Sequence, residues 1–247
     1  MGEMKVRVTE GEDLSNALVV LGTPTMGLVG AIVAQHLVRA LGMRAVGRIE
    51  SPDFPTVVLV KDGRTRPLVQ LFAAPAKCRG LSCARLVVIA SELTPEDERA
   101  REFARAVLEW ARGLSAPMVM VPDGIGHDKD PELAVIGVAS TPIARGFLDT
   151  IKVDAMKDGA LGGLTAAMLE EAERLGVPLV AVLGETHPEH PDARAAAAIV
   201  GILARVLPGL PLDPTPLLAE AEEIERMMHE AMDRARRGGD ESAPMFG

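Results

Sequence analysis

The chain has 247 residues, 48% of them hydrophobic but only 2% aromatic, with no tyrosine. That length admits one large α/β unit, and its core must be built from aliphatic side chains rather than rings. A net charge of −9, with no basic stripe, argues against binding nucleic acid through phosphate neutralisation.

The first residues, Met1 to Val6, carry no apolar signal-peptide core. Lys5–Thr9 is expected as a first strand and Ala17–Leu21 as a buried one. From Leu14 to Val38 there is no Asp, Glu, Lys or Arg, a length that could span a bilayer. Ser15, Asn16, Gln35 and His36 interrupt it, and Gly22-Thr23-Pro24-Thr25 breaks any helix. A buried strand followed by a covered helix explains the run better, so a cytoplasmic protein without membrane contact is expected. The helix is marked by Val29, Val33, Leu37 and Leu41 at helical spacing.

Between that strand and helix lies Gly22-Thr23-Pro24-Thr25-Met26-Gly27-Leu28-Val29-Gly30. A glycine-rich strand-to-helix turn can cradle a phosphate on its backbone N–H groups. Here Val29-Gly30-Ala31 stands where a Walker A loop carries its lysine, and glycines at 22, 27 and 30 do not match Gly-x-Gly-x-x-Gly. Gly22, Gly27 and Gly30 therefore read either as a tight structural turn or as an anion or nucleotide loop.

Further strands are expected at Ala45–Glu50, Val57–Val60, Leu68–Ala73, Leu86–Ala90, Met118–Val121 and Leu179–Leu183. Lys61-Asp62-Gly63-Arg64 is a hairpin signal that would join Val57–Val60 to Leu68–Ala73 and make the sheet mixed. Cys78 and Cys83 are too few for a disulfide scaffold and are not spaced Cys-x-x-Cys; they read as two thiols flanking a loop or as a hairpin disulfide. Thr94-Pro95-Glu96-Asp97 offers a cap and a first-turn proline for a helix whose buried face is Phe103, Val107, Trp110 and Leu114.

Two later segments concentrate polar groups. Asp123-Gly124-Ile125-Gly126-His127-Asp128 follows a strand, where α/β proteins place ligands, and could hold a histidine base between carboxylates. No nucleophile is marked beside it. Glu185-Thr186-His187-Pro188-Glu189-His190-Pro191-Asp192 is the most metal-like cluster, but its prolines and His-x-x-His spacing suit a polar loop leading to a helix cap at Asp192. The turn Asp158–Thr165 opens a helix over Leu164–Leu175 that Gly176 ends, and Asp192 starts an alanine-rich helix turned inward by Ile199, Ile202, Leu203 and Val206.

The last helix, about 214–237, places Leu217, Ala221, Ile224, Met228, Ala231 and Ala235 by fours and threes, a narrow seam suited to the core or to another subunit. Acids lead it and Arg234, Arg236 and Arg237 close it, complementing the helix dipole. Residues 238–244 read as a flexible tether, and Met245-Phe246-Gly247 follow. Short apolar runs alternating with helical patterns make an α/β chain: a core unit over 1–212, a helix over 213–237 and a tail over 238–247.

The loop Gly22–Gly30, Ser51-Pro52-Asp53-Phe54-Pro55, Lys61–Arg64, Gly159–Thr165 and Glu185–Ala193, in that order, resemble the archaeal branch of the proteasome assembly chaperone family. That branch is related to the eukaryotic second subunit of the assembly-chaperone heterodimer, and some members have been labelled ATP-grasp-like. The resemblance runs from about residue 15 to residue 235. It implies a three-layer α/β/α sandwich around a mixed sheet, homo-oligomers, and ATP-independent binding of proteasome α-subunits or assembly factors. The chain departs from the family pattern at Thr25, where glycine is usual, and at Gly162-Gly163. Met245-Phe246-Gly247 is similar to the hydrophobic–tyrosine–any motif by which activators and chaperones dock between proteasome α-subunits. Aromatics being 2% of the chain, one in the penultimate position is itself uncommon.

The expectation is therefore a chaperone-like, partner-binding protein rather than an enzyme, with Met245, Phe246 and Gly247 as its partner-binding residues. No catalytic residue, metal or cofactor is assigned. The alternative is an enzyme that holds a nucleotide or phosphorylated small molecule at Gly22–Gly30.

Overall fold

A computed structural model describes residues 3–77, 83–126, 134–186 and 190–222. Cys78, His127, Asp128, His187, Glu189, residues 223–237 of the expected last helix, and the tail with Met245, Phe246 and Gly247 lie outside them.

The centre is a parallel quartet. β2 (Ala17–Gly22), β7 (Arg85–Ser91), β8 (Val119–Gly126) and β11 (Leu179–Thr186) run side by side in the order β7-β2-β8-β11. Strands covered on both faces need apolar residues at every position rather than alternate ones. β2 meets that demand, since Ala-Leu-Val-Val-Leu-Gly is buried throughout. Beyond β7 come β6 (Val69–Lys77), β3 (Arg44–Glu50) and β1 (Lys5–Val8), each antiparallel to its neighbour. Beyond β11 come the antiparallel β9 (Val135–Ala139) and the short β10 (Asp154–Ala155). The expected mixed sheet is thus a nine-stranded one.

Helices cover both faces. α1 (Val29–Ala40), α3 (Pro142–Ile151) and α5 (Ala193–Val206) share one core with Leu18, Val20 and Val88. α2 (Asp97–Gly113) and α4 (Gly163–Leu175) share the other with Val19, Leu21 and Val87. Successive residues of β2 feed opposite cores, as the two-residue period of a strand requires. This is the expected three-layer α/β/α sandwich. Residues 215–222 are helical, and their Leu217 joins the α1–α5 core.

Several boundaries follow their sequence signals. Gly176 ends α4 in the left-handed region at φ 66, and the Asp192 side chain accepts a hydrogen bond from the Ala195 N–H at 2.9 Å to cap α5. Three expectations are corrected. The turn at Asp62-Gly63, with both φ positive, pairs β4 (Leu59–Lys61) with β5 (Arg64–Arg66) as a separate ribbon. A two-residue turn of this kind sets Lys61 opposite Arg64, and Pro67 then supplies no N–H to continue the ladder. Leu68–Ala73 therefore does not pair with Val57–Val60; its strand enters the main sheet between β3 and β7.

The second correction is the cap of α2, which falls on Glu96 instead of Thr94. The Thr94 hydroxyl donates instead to the Pro24 carbonyl at 3.0 Å, tying the entry of α2 to the Gly22–Gly30 loop. The third is the stretch Val135–Ala155, for which no element was expected and which holds β9, α3 and β10.

Candidate functional site

β2 and β8 are neighbours, but the chain leaves β2 through α1 toward β3 and leaves β8 toward the opposite edge. Ligands in open α/β sheets bind at such a reversal, beyond the carboxyl ends of the strands. In this protein the Gly22–Gly30 loop itself fills that crevice. Thr25 is extended, and Gly27 and Leu28 both adopt left-handed conformations, at φ 59 and φ 51. The reversal folds Met26 back across β8.

Each glycine of the loop sits at a close approach. A Cβ on Gly22 would lie 2.3 Å from the Gly30 carbonyl oxygen and 2.4 Å from the Ala34 Cβ. One on Gly30 would lie 2.6 Å from the Pro122 carbonyl oxygen, and one on Gly27 would lie 2.4 Å from the Thr186 hydroxyl. Gly124 of β8 completes the fit, since a Cβ there would lie 2.4 Å from the Met26 carbonyl oxygen. Gly22 and Gly30 are thus brought together, and all three glycines are buried with protein where a Cβ would stand.

Three of the loop's donors are used within the turn itself. The Thr25 N–H donates to the Thr23 carbonyl, the Leu28 N–H to the Thr25 carbonyl and the Val29 N–H to the Met26 carbonyl. A phosphate cradle needs such groups pointing at the ligand; these three are consumed by the turn. The Gly27 carbonyl accepts from the Asp192 N–H at 2.8 Å, so the loop is also joined to the start of α5.

Under the loop lies Asp123, 7% exposed at the end of β8. One of its oxygens accepts from the Thr25 hydroxyl and from the Gly124 N–H, the latter at 2.7 Å. The other accepts from the hydroxyl of Thr165 in the first turn of α4. Burial pushes the Asp123 carboxyl above the ordinary carboxylate range, although all three hydrogen bonds act in the opposite sense. The carboxylate ties the loop, the central sheet and α4 together. Thr25 and Thr165 lie 98 and 42 residues from Asp123 in sequence, and no local pattern could pair them. The one sequence signal was Thr25 itself, a hydroxyl where the resembled family carries glycine.

The metal-like and histidine-base segments do not converge among the described residues. No group of three or more His, Cys, Asp or Glu there is arranged to hold a metal ion. Asp192 is committed to its cap, and Glu185 lies on β11. No described helix is long and apolar enough to cross a membrane.

The sequence matches the PAC2 family over residues 19–232. The chain belongs to the PAC2 family. PbaA of Pyrococcus furiosus, described as an archaeal homolog of proteasome-assembly chaperone, superposes with a TM-score of 0.77 at 28% identity, covering 94% of this chain and 99% of PbaA. Its monoclinic crystal form gives 0.78 at 30% identity, covering 96% and 97%. PbaB of the same organism, an archaeal proteasome activator, shares the fold with a TM-score of 0.78 at 22% identity over 94% of this chain and all of PbaB. An uncharacterized protein of Methanocaldococcus jannaschii is 26% identical over 196 residues, 78% of this chain and 75% of that protein. The family placement indicated by the motif order is therefore shown, and the sandwich is the PAC2 chaperone fold.

Proposed function

We propose that this PAC2 protein is an ATP-independent proteasome assembly chaperone, a cytoplasmic homo-oligomer that binds proteasome α-subunits or other assembly factors. The observation that carries the reading is the near-complete overlap with PbaA at 28–30% identity, alongside the family match over 19–232. The use of the Thr25, Leu28 and Val29 N–H groups within the Gly22–Gly30 loop supports it against the nucleotide alternative, because those donors are not free to cradle a phosphate.

In this reading the unit 1–212 is the rigid body, the helix over 213–237 packs on the core or on a neighbouring subunit, and 238–247 is a tether. The tether presents Met245, Phe246 and Gly247 to the α-subunits, and several weak tails on one oligomer act together. The test is a pull-down of purified α-subunits and of source-cell extract on the full chain and on a chain lacking Met245–Gly247. The full chain is expected to retain α-subunits and the truncated chain to lose most of them. Equal capture by both would remove the tail from the mechanism, and capture by neither would overturn the reading. In parallel, ATP and GTP at saturating concentration are expected to leave the melting temperature unchanged; a saturable rise would favour the enzyme.

A further inference from the structure

On the α1 side of the sheet, the floor formed by β3 and β6 is left partly open: Ala45 is exposed, and Gln70 and Phe72 are half-buried. Over this floor opens a bay of about 650 Å³ between α1 and the β4–β5 ribbon. Val38 and Arg39 of α1 stand on one side; Leu59, Val60 and Arg66 of the ribbon stand on the other. Val60 is 67% exposed, so the apolar surface here faces outward rather than into the core.

The charge of the bay runs against that of the chain. Arg39, Lys61 and Arg66 line it with a single acid, Glu92. Arg7, Arg44, Arg48, Arg99, Arg145 and Arg174 each pair with a carboxylate. No ion pair joins any of the three bay cations to another described residue. In a chain of net charge −9, three unneutralised cations around a half-buried phenyl ring form a site for an acidic segment carrying a large apolar side chain.

The chain holds such a segment. Asp240 and Glu241 precede Met245 and Phe246 within residues 238–247, which contain no lysine or arginine. The helix at 215–222 also lies beside the part of α1 that borders the bay. Pro216, Leu217 and Glu220 flank a smaller groove with Gln35 and Arg39, the same two residues of α1 that line the bay. Residues 223–247 span up to roughly 80 Å when extended, so reach sets no limit.

We propose that the bay is a docking site for the chain's own C-terminal segment, residues 238–247. Asp240 and Glu241 meet the cations of α1 and the ribbon, and Phe246 covers Phe72 and Val60. The site and the segment define the proposal by themselves. Its consequence, that a tucked tail is withheld from α-subunits, rests on the function proposed above.

The experiment has two arms. A synthetic peptide of residues 238–247 is titrated calorimetrically into a chain ending at Arg237. It is expected to bind, to weaken as salt is raised, and to weaken roughly tenfold against the double variant Lys61→Glu, Arg66→Glu. Both positions are exposed on the ribbon, so the variant is expected to melt like the parent. Absence of binding, or equal binding to parent and variant, overturns the proposal. In the second arm, a photo-reactive phenylalanine analogue replaces Phe246 in the full chain. A cross-link to the bay within one chain supports the proposal; cross-links only between chains would make a second copy the occupant and overturn it. Neither arm contains α-subunits, so failure here leaves the pull-down result standing, and failure of the pull-down leaves this one.

Discussion

Gly27 shows how much one missing side chain contributes to this fold. Its φ of +59 is a conformation that other residues adopt only with strain, and a methyl group there would overlap the Thr186 hydroxyl at 2.4 Å. Gly27→Ala is expected to cost roughly 2–4 kcal/mol in chemical denaturation. Gly201, in the interior of α5 with no described residue within 4 Å of its Cβ position, is the control: Gly201→Ala is expected to raise stability by about 1 kcal/mol. Similar losses at both sites would mean that the crevice is not closed as described. Asp123 gives a second test at this scale. Burial raises its folded-state carboxyl above the ordinary value of 3.8, so the folded chain holds this proton to higher pH than the unfolded chain does. Stability from this group is therefore present at low pH and declines as pH rises through the raised value. Asparagine keeps an acceptor for Thr25 and for the Gly124 N–H, while the Thr165 hydroxyl can rotate to accept. Asp123→Asn is expected to abolish this component of the pH slope and to match or exceed the parent at neutral pH. An unchanged slope in urea titrations across acidic pH would show that Asp123 is not its source.

At the scale of elements, signals that act within a few residues were legible, and pairings set at a distance were not. Asp192 could be read as the start of α5 because a cap is a contact three residues long, here to the Ala195 N–H. Asp192→Ala is expected to cost about 1 kcal/mol. The same change should also loosen the Gly22–Gly30 loop, whose Gly27 carbonyl takes the Asp192 N–H; faster amide exchange at Asp192 and Leu28 would report it. The Asp62-Gly63 turn was equally visible, but which strand answered Val60 depended on Pro67 and on the competing claim of β3 and β7 on Leu68–Ala73. The order Thr141-Pro142 does carry a cap and a first-turn proline for α3, with the Thr141 hydroxyl accepting from the Ala144 N–H at 3.2 Å. No element was expected there although β9 before it, Val-Ile-Gly-Val-Ala, is itself an apolar run, interrupted only by Gly137, a residue that weakens a strand pattern. His36 sits where α1 meets the C-terminal helix. One ring nitrogen, Nε2, is buried without a hydrogen-bond partner among the described residues, while the imidazole bonds to the Asp213 backbone. Desolvation lowers its pKa from 6.5, so the folded chain resists a proton that the unfolded chain accepts. Stability from this group is therefore present above about pH 6.5 and declines as pH falls below it, although Asp213 and Glu220 act in the opposite sense. In His36→Leu that acid-side loss should disappear, which urea titrations on either side of pH 6.5 can measure.

For the whole molecule, the sandwich confines chemistry to few places. The crevice where an α/β sheet offers a ligand site is occupied by its own loop, both sheet faces carry helices, and the proposed interaction moves to a segment beyond the rigid body. A tail tethered to such a body gains little from tight binding at one site and much from several weak contacts made together. Phe246 fits that economy. In the resembled docking motif the penultimate residue is tyrosine, and phenylalanine keeps the apolar ring while omitting the hydroxyl. Restoring it by Phe246→Tyr adds one hydrogen bond, worth roughly 0.5–1.5 kcal/mol, or between about twofold and tenfold in affinity for a single tail. In the proposed oligomer the gain compounds across every tail engaged at once, so the intact protein should respond more strongly than an isolated peptide. The comparison needs both measurements: a peptide of residues 238–247 with Phe or Tyr at 246 binding α-subunits, and the full chain with the same change. A larger ratio for the full chain is the signature of simultaneous docking. Equal ratios would show that tails engage one at a time, and no gain in either would show that Phe246 does not occupy the tyrosine position of the motif.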